Sequence, residues 1–199
     1  MLLSANIIDA GEAADGDSAQ IVAGTLPPPP SLFSEAPADA TWFVLHTRSR
    51  QEKAVADASE ALHAWCFLPL VTHTRVYRGR KIQVQLPLLP SYVFMKGQAD
   101  QAYQLDRNKR LANIIPVTNQ ARLEWELGNI RRAMDANVPL DPYPYLKKGI
   151  RAEVRSGPLR GMQGLIEDRA KLSRLILQVD MLGRALSVEV DGALLEPLE

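Results

Sequence analysis

The chain has 199 residues, enough for one or two domains with a real core. Its 23 basic and 23 acidic residues cancel. However, residues 1–40 hold six acids (Asp9, Glu12, Asp15, Asp17, Glu35, Asp39) and no Lys or Arg, so residues 41–199 carry 23 basic against 17 acidic groups, a net of +6. The single cysteine, Cys66, excludes an internal disulfide framework and fits a reducing cytoplasm, and no apolar run approaches the ~20 residues that span a bilayer.

Residues 1–40 are rich in Ala, Asp, Gly and Pro, with a run from Pro27 to Pro30. This composition predicts a disordered, partly extended acidic tail. It has no basic residue before its short apolar stretch, which speaks against a secretory signal. Trp42 to His46 reads as a strand. Ser49-Arg50-Gln51-Glu52 fits a capping box. Ala54, Val55, Ala58, Ala61, Leu62 and Trp65 then follow helical spacing. Phe67 to Tyr77 is extended, interrupted at Pro69. Arg78-Gly79-Arg80-Lys81 forms a basic hairpin tip, and the alternation of Ile82, Val84, Leu86 and Leu88 gives the return strand. Tyr92 to Met95 is a further strand. Leu123, Leu127, Ile130 and Met134 recur at i, i+4, i+7 and i+11, so a helix closes the domain. Strands mixed with helices, plus a hairpin, predict an α+β domain over 41–136.

Residues 41–110 hold 11 basic and 5 acidic groups. That excess is read either as a weak nucleic-acid contact or as an ordinary solvated surface. Residues 137–146, with Pro139, Pro142 and Pro144, read as a short stiff linker. In 147–199, Ile150, Ala152 and Val154 alternate with charged neighbours. Gly157-Pro158 and Gly161 force a tight turn, and Gly164 marks a bulge or a close backbone approach. Leu175, Leu177 and Val179 form one inward set. Leu186, Val188 and Val190 form another. Five short strands in so few residues predict a small barrel.

The C-terminal pattern, with Gly149, Gly157, Pro158, Gly161, Gly164, Gly183 and Arg184, resembles a KOW domain, a small SH3-like barrel. Upstream, Thr41-Trp42-Phe43-Val44-Leu45-His46-Thr47-Arg48-Ser49-Arg50-Gln51-Glu52-Lys53 and Leu89-Pro90-Ser91-Tyr92-Val93-Phe94 are similar to the N-terminal (NGN) domain of the NusG family. The resemblance runs from Thr41 to Glu199 in the family's domain order. It implies an NGN domain, an antiparallel sheet flanked by helices, followed by an all-β KOW barrel. It also implies a transcription elongation or antitermination factor. The basic hairpin points to a specialised, RfaH-like member. Leu89 and Ser91 depart from the family's Phe and Gly.

Carried over by position, the resemblance places RNA polymerase binding, through the clamp helices, on Trp42, His46, Tyr92 and Phe94. The alternative is that these aromatics are core. Arg48, Arg50, Gln51, Lys53, Arg78, Arg80 and Lys81 would face the non-template DNA strand of the transcription bubble, with Arg107, Lys109 and Arg110 as a third basic cluster. The segment Gly97 to Arg110 would reach the opposite polymerase jaw. The barrel would recruit Rho or a small-subunit ribosomal protein. The rival reading is a KOW-bearing RNA-binding or ribosome-associated protein, which the barrel's mild basicity disfavours. No cofactor or metal is implied. His63 and Cys66 are three apart and would meet on a helix as a thiol site, but Cys66 reads better as a small buried hydrophobe. No phosphate-binding glycine loop is present.

Overall fold

Both faces of strand β1 (Thr41–Thr47) are apolar, Trp42 and Val44 on one and Phe43 and Leu45 on the other, so the strand belongs in the middle of a covered sheet. The computed structural model, which describes residues 39–78, 80–107, 109–167 and 173–198, places it there. The expected acidic tail lies almost wholly outside those residues, as does Gly79 of the hairpin tip. Strands β2 (Trp65–Phe67), β5 (Tyr92–Gly97) and β6 (Leu111–Pro116) complete an antiparallel sheet in the order β2-β5-β1-β6.

Leu45, Val93 and Met95 on one face pack against helices α1 (Glu52–Ala61) and α2 (Ala99–Asp106) through Val55, Ala56, Ala102 and Leu105. Trp42, Val44 and Phe94 on the other face pack against Leu123, Leu127 and Ile130 of α3 (Gln120–Asp135). Strands β3 (Leu70–Tyr77) and β4 (Arg80–Pro87) pair only with each other, as a separate two-stranded hairpin.

Several local expectations change. The capping box at Ser49 is not formed. Gln51 is the N-cap and makes no side-chain cap bond. Glu52 is buried instead, and its Oε1 accepts from the Ser91 amide at 2.9 Å. Trp65 is not on α1 but opens β2, so His63 and Cys66 do not share a helix. Helix α2 occupies much of Gly97 to Arg110, the segment expected to reach a polymerase jaw, and strand β6 follows it.

The C-terminal region holds the five expected strands: β8 (Ile150–Val154), β9 (Gln163–Ile166), β10 (Arg174–Val179), β11 (Arg184–Glu189) and β12 (Leu195–Pro197). A sixth comes from the segment read as a linker. Strand β7 (Leu140–Tyr143) pairs antiparallel with β11, so those residues are part of the sheet and not a spacer. Pro142 fits because β7 is the edge of the sheet, where a missing amide leaves no neighbour unpaired. Gly164 is a close-approach glycine. A Cβ there would lie 2.6 Å from the Ile176 carbonyl oxygen and 2.9 Å from Leu175 Cγ.

Helix α3 is buried on two sides. Toward the first sheet, Glu124 accepts from Trp42 Nε1 and from Lys96 Nζ, both at 2.9 Å, and Gln120 Nε2 donates to the Trp42 carbonyl at 3.1 Å. Toward the barrel, Arg122 Nη2 pairs with Asp180 at 2.9 Å and its Nε with Glu126 at 2.7 Å. Glu126 Oε2 also accepts from the Asp180 amide at 3.3 Å. One continuous core therefore runs from Trp42 through α3 to Leu186 and Leu195.

Two predictions follow from this packing. Burial, and then the charge of Asp180, push the Glu126 carboxyl from its ordinary 4.5 up to about 7, despite the Arg122 pairing. Between those values the folded chain holds a proton that the unfolded chain has lost, so this group's contribution to stability falls as pH rises from about 4.5 to about 7. In thermal melts across that window, Glu126→Gln should flatten the downward slope. An unchanged slope would assign it to another group.

Ser91 adopts a left-handed φ of 68°. An L-residue there costs roughly 1–2 kcal/mol, while glycine's extra unfolded-state entropy returns roughly 0.5–1 kcal/mol. Ser91→Gly should therefore raise stability by a few tenths to about 1 kcal/mol, measured by urea denaturation. A loss would show that the Ser91 side chain, and not its backbone, holds the turn.

Candidate functional site

Four chain segments converge at one end of the first sheet. The Thr47 amide donates to the Ser91 carbonyl, and the Arg48 amide to the Arg110 carbonyl, both at 2.8 Å. The Ser91 amide is held by Glu52. Arg110 Nη1 reaches back to the Ala54 carbonyl of α1 at 3.2 Å. These bonds gather the exit of β1, the start of α1, the turn before β5 and the start of β6 into a single corner. Arg48, Arg50 and Lys53 are exposed on it, together with Lys109 and Arg110, while Gln51 is half-buried. The first and third basic clusters of the sequence are thus one surface. Arg50, Ser91 and Lys109 all have left-handed φ values there, 61°, 68° and 54°. Such conformations in non-glycine residues persist only where surrounding bonds fix them.

Arg78, Arg80 and Lys81 are not part of that corner. Eight residues on each strand carry the β3–β4 tip roughly 25 Å from its base. The outer half of the hairpin is solvent-exposed, including Val76 at 69%, Tyr77 at 59% and Ile82 at 43%. The Arg78 guanidinium lies 5.4 Å from the Tyr77 ring centroid. The tip therefore presents cations beside apolar and aromatic surface, a combination suited to phosphate contact with base stacking.

The predicted aromatic patch divides. Trp42 is 1% exposed and Phe94 fully buried. Trp42 sits edge-on to Trp65 at 5.6 Å, and Phe94 packs on Phe67 at 6.4 Å. These two are core in this arrangement and present no docking surface, so they drop out as contact residues. His46 and Tyr92 are half-buried and stack on each other at 5.1 Å with an interplanar angle of 21°. They are register partners on adjacent strands, and β2 places Trp65 and Phe67 on the same face, also half-buried. The sequence reading missed Trp65 and Phe67. The available signal was their i, i+2 spacing across Cys66, which alternates as a strand does.

The barrel glycines sit where the turn chemistry requires. Gly157 and Gly161 have φ of 81° and 79° on either side of Pro158, and Gly183 has 57°. Gly149 backs onto the Ile166 carbonyl, and Arg184 opens β11 exposed. The Cys66 thiol is pushed up to about 11 by burial, then by Glu60 and Asp57, the opposite of what a nucleophilic thiolate needs. No helix among the described residues is long and apolar enough to cross a membrane.

Residues 40–124 match the family model described as "NusG: Transcription termination factor nusG". The transcription termination/antitermination protein NusG of Rickettsia prowazekii (strain Madrid E) is 26% identical over 172 residues, covering 75% of this chain and 86% of that protein. The NusG protein of Rickettsia typhi (strain ATCC VR-144 / Wilmington) is also 26% identical, over 165 residues with the same coverage. A solved structure described as "Domain interaction in Thermotoga maritima NusG" aligns over 80% of this chain and 98% of that one, with 23% identity and a TM-score of 0.42. The family match covers the N-terminal α+β domain, and the similarity to the NusG transcription termination/antitermination proteins spans three quarters of the chain, so it is NusG proteins that this chain is similar to.

Proposed function

We propose that this protein binds RNA polymerase through the His46–Tyr92 ledge of its N-terminal domain and acts on transcription elongation, suppressing pausing or modulating termination. The observation that carries the reading is the stacked, half-open pair His46 and Tyr92 beside an exposed basic corner. Aromatic side chains give large contact area at low entropic cost, and such residues dominate interface energetics. The clamp helices are the fitting polymerase element, because a shallow apolar ledge flanked by Trp65 and Phe67 accepts a helix face. The functional division follows the sequence reading, with residues 41–136 engaging polymerase and 147–199 recruiting a second protein such as Rho or a small-subunit ribosomal protein.

Arg48, Arg50 and Lys53 at the corner, and Arg78, Arg80 and Lys81 at the hairpin tip, then face the non-template DNA strand at two separate points. The long basic hairpin supports reading the chain as a specialised, operon-selective member of the NusG family. The bridging of the two polymerase jaws would bias the clamp toward its closed state, a population shift and not a chemical step.

In a pull-down of core RNA polymerase by the full chain, His46→Ala with Tyr92→Ala should weaken retention about tenfold or more, the equivalent of at least about 1.4 kcal/mol. Both side chains are half-buried, so the amide spectrum should remain that of a folded protein. Undiminished retention by a folded double variant would sink the ledge assignment. On reconstituted elongation complexes, replacing Arg78, Arg80 and Lys81 together with Ala should weaken the DNA-dependent part of binding. It should also reduce the salt dependence by about two to three ions. An unaltered salt slope would remove the hairpin tip from the nucleic-acid surface.

A further inference from the structure

A cavity of about 270 Å³ lies between α3 and the barrel strands β8, β9 and β10. It is distinct from the ledge, the basic corner and the hairpin. Its helix wall is built by Arg122, Trp125 and Asn129, and its barrel wall is largely aliphatic, with Leu165, Ile176 and Leu177.

Asn129 is 5% exposed, yet among the described residues its side-chain amide has no hydrogen-bond partner. The side chain faces the cavity. Its oxygen and NH2 open onto the cavity and offer an acceptor and donors to a group that enters. The Arg122 guanidinium lies over the Trp125 ring at 4.9 Å, so the same wall offers a flat cationic and aromatic surface.

Charge at the mouth is one-sided. The two acids of the wall are already engaged. Glu126 is held by Arg122 and the Asp180 amide, and Asp180 by Arg122 and by the Tyr145 hydroxyl at 3.2 Å. Lys147, Lys148 and Arg151 on the opposite lip have no ion-pair partner among the described residues. Gln178 Nε2 donates to the Leu146 carbonyl at 3.0 Å and fastens the loop that carries the two lysines.

We infer that this cavity is a mononucleotide site, with a planar base inside against Asn129 and Trp125 and a phosphate at the lip of Lys147, Lys148 and Arg151. A side-chain amide matches the paired donor and acceptor on a base edge. An aromatic or guanidinium plane stacks on one face of a base. Lysine and arginine at the mouth bind the phosphate by charge-assisted bonds. The volume is just below the range of drug-sized sites and admits a base with its sugar, not a longer oligonucleotide. The nucleotide would be a free metabolite or the terminal residue of a nucleic-acid strand.

The test is calorimetric titration of the full chain with AMP, GMP, CMP and UMP in turn. At least one should bind with a Kd below about 1 mM. Asn129→Leu, which removes the amide donor and acceptor at similar size, and Lys148→Glu, on the exposed lip, should each weaken it about tenfold or more. Because Lys148 is solvent-exposed, its variant tests the site even where Asn129→Leu perturbs folding. The nucleoside of the preferred base and ribose 5-phosphate should each bind more weakly than the intact nucleotide. Competition by a 5′-phosphorylated trinucleotide marks a strand end as the source, and its failure to compete marks the free nucleotide. Absence of binding by all four nucleotides overturns the assignment. So does binding that ribose 5-phosphate matches and a folded Asn129→Leu retains, because it reports charge attraction alone. Neither outcome touches the polymerase reading, which rests on the opposite end of the first sheet.

Discussion

Helix α3 buries side chains against two different sheets, and the two contacts differ in kind. Leu123, Leu127 and Ile130 meet Trp42 and Val44 in an apolar interface, where each fully buried large side chain contributes about 1.5–3 kcal/mol. The barrel side shares that core and adds Glu126, a carboxyl that is 3% exposed, with Arg122 and Asp180. Desolvating such a group costs several kcal/mol, which pairing offsets only when geometry and hydrogen bonding are good. Here both Glu126 oxygens are engaged, one by a guanidinium and one by a backbone amide. The apolar side accounts for most of the stability. The polar side fixes which way the barrel faces, since a rotated barrel would strand Glu126 without the Asp180 amide.

The same division explains what the sequence disclosed. The inward sets of the barrel strands and of β1 were legible because alternation with period two is a local property that packing seldom overrides. The positive-φ glycines were legible for the same reason, and so was Gly164, where any side chain would strike the neighbouring backbone. The misses are residues with non-local partners. Glu52 looked like half of a capping box, but a turn 39 positions away claimed its carboxylate. The proline-rich 137–146 stretch looked like a spacer because a sheet edge that accepts proline exists only once β11 is in place. Helix α2 buries only Ala102 and Leu105, too few apolar positions for a period to show.

For the site, the pattern told which aromatics share a face but not which part of that face is covered. Trp42, His46, Tyr92 and Phe94 do lie together on the α3 side of the sheet. Coverage then sorts them along the strand. Near Trp42 and Lys96 the Glu124 carboxylate closes the face, while His46 and Tyr92 toward the other end of the strands stay half-buried. Period alone carries no information about how far a sheet face is covered, so that distinction needed the tertiary structure.

This sorting constrains how a partner can engage the N-terminal domain. Phe94 lies between Phe67 and the α3 core, and exposing it would mean unpacking the first sheet. His46 and Tyr92 need no such opening, because their rings stack on each other and meet solvent at the open end. The corner that follows them, with the Arg48 amide bonded to the Arg110 carbonyl and the Ser91 amide to the Glu52 carboxylate, is held by hydrogen bonds that involve neither α3 nor the barrel. A partner on the ledge and a phosphate at the corner can therefore be bound while the barrel remains seated on α3. The barrel's own contacts answer to a separate control, the Glu126–Arg122–Asp180 cluster. Occupancy of the ledge and seating of the barrel on α3 therefore rest on separate contacts, coupled only as far as the sheet between them transmits a change in packing.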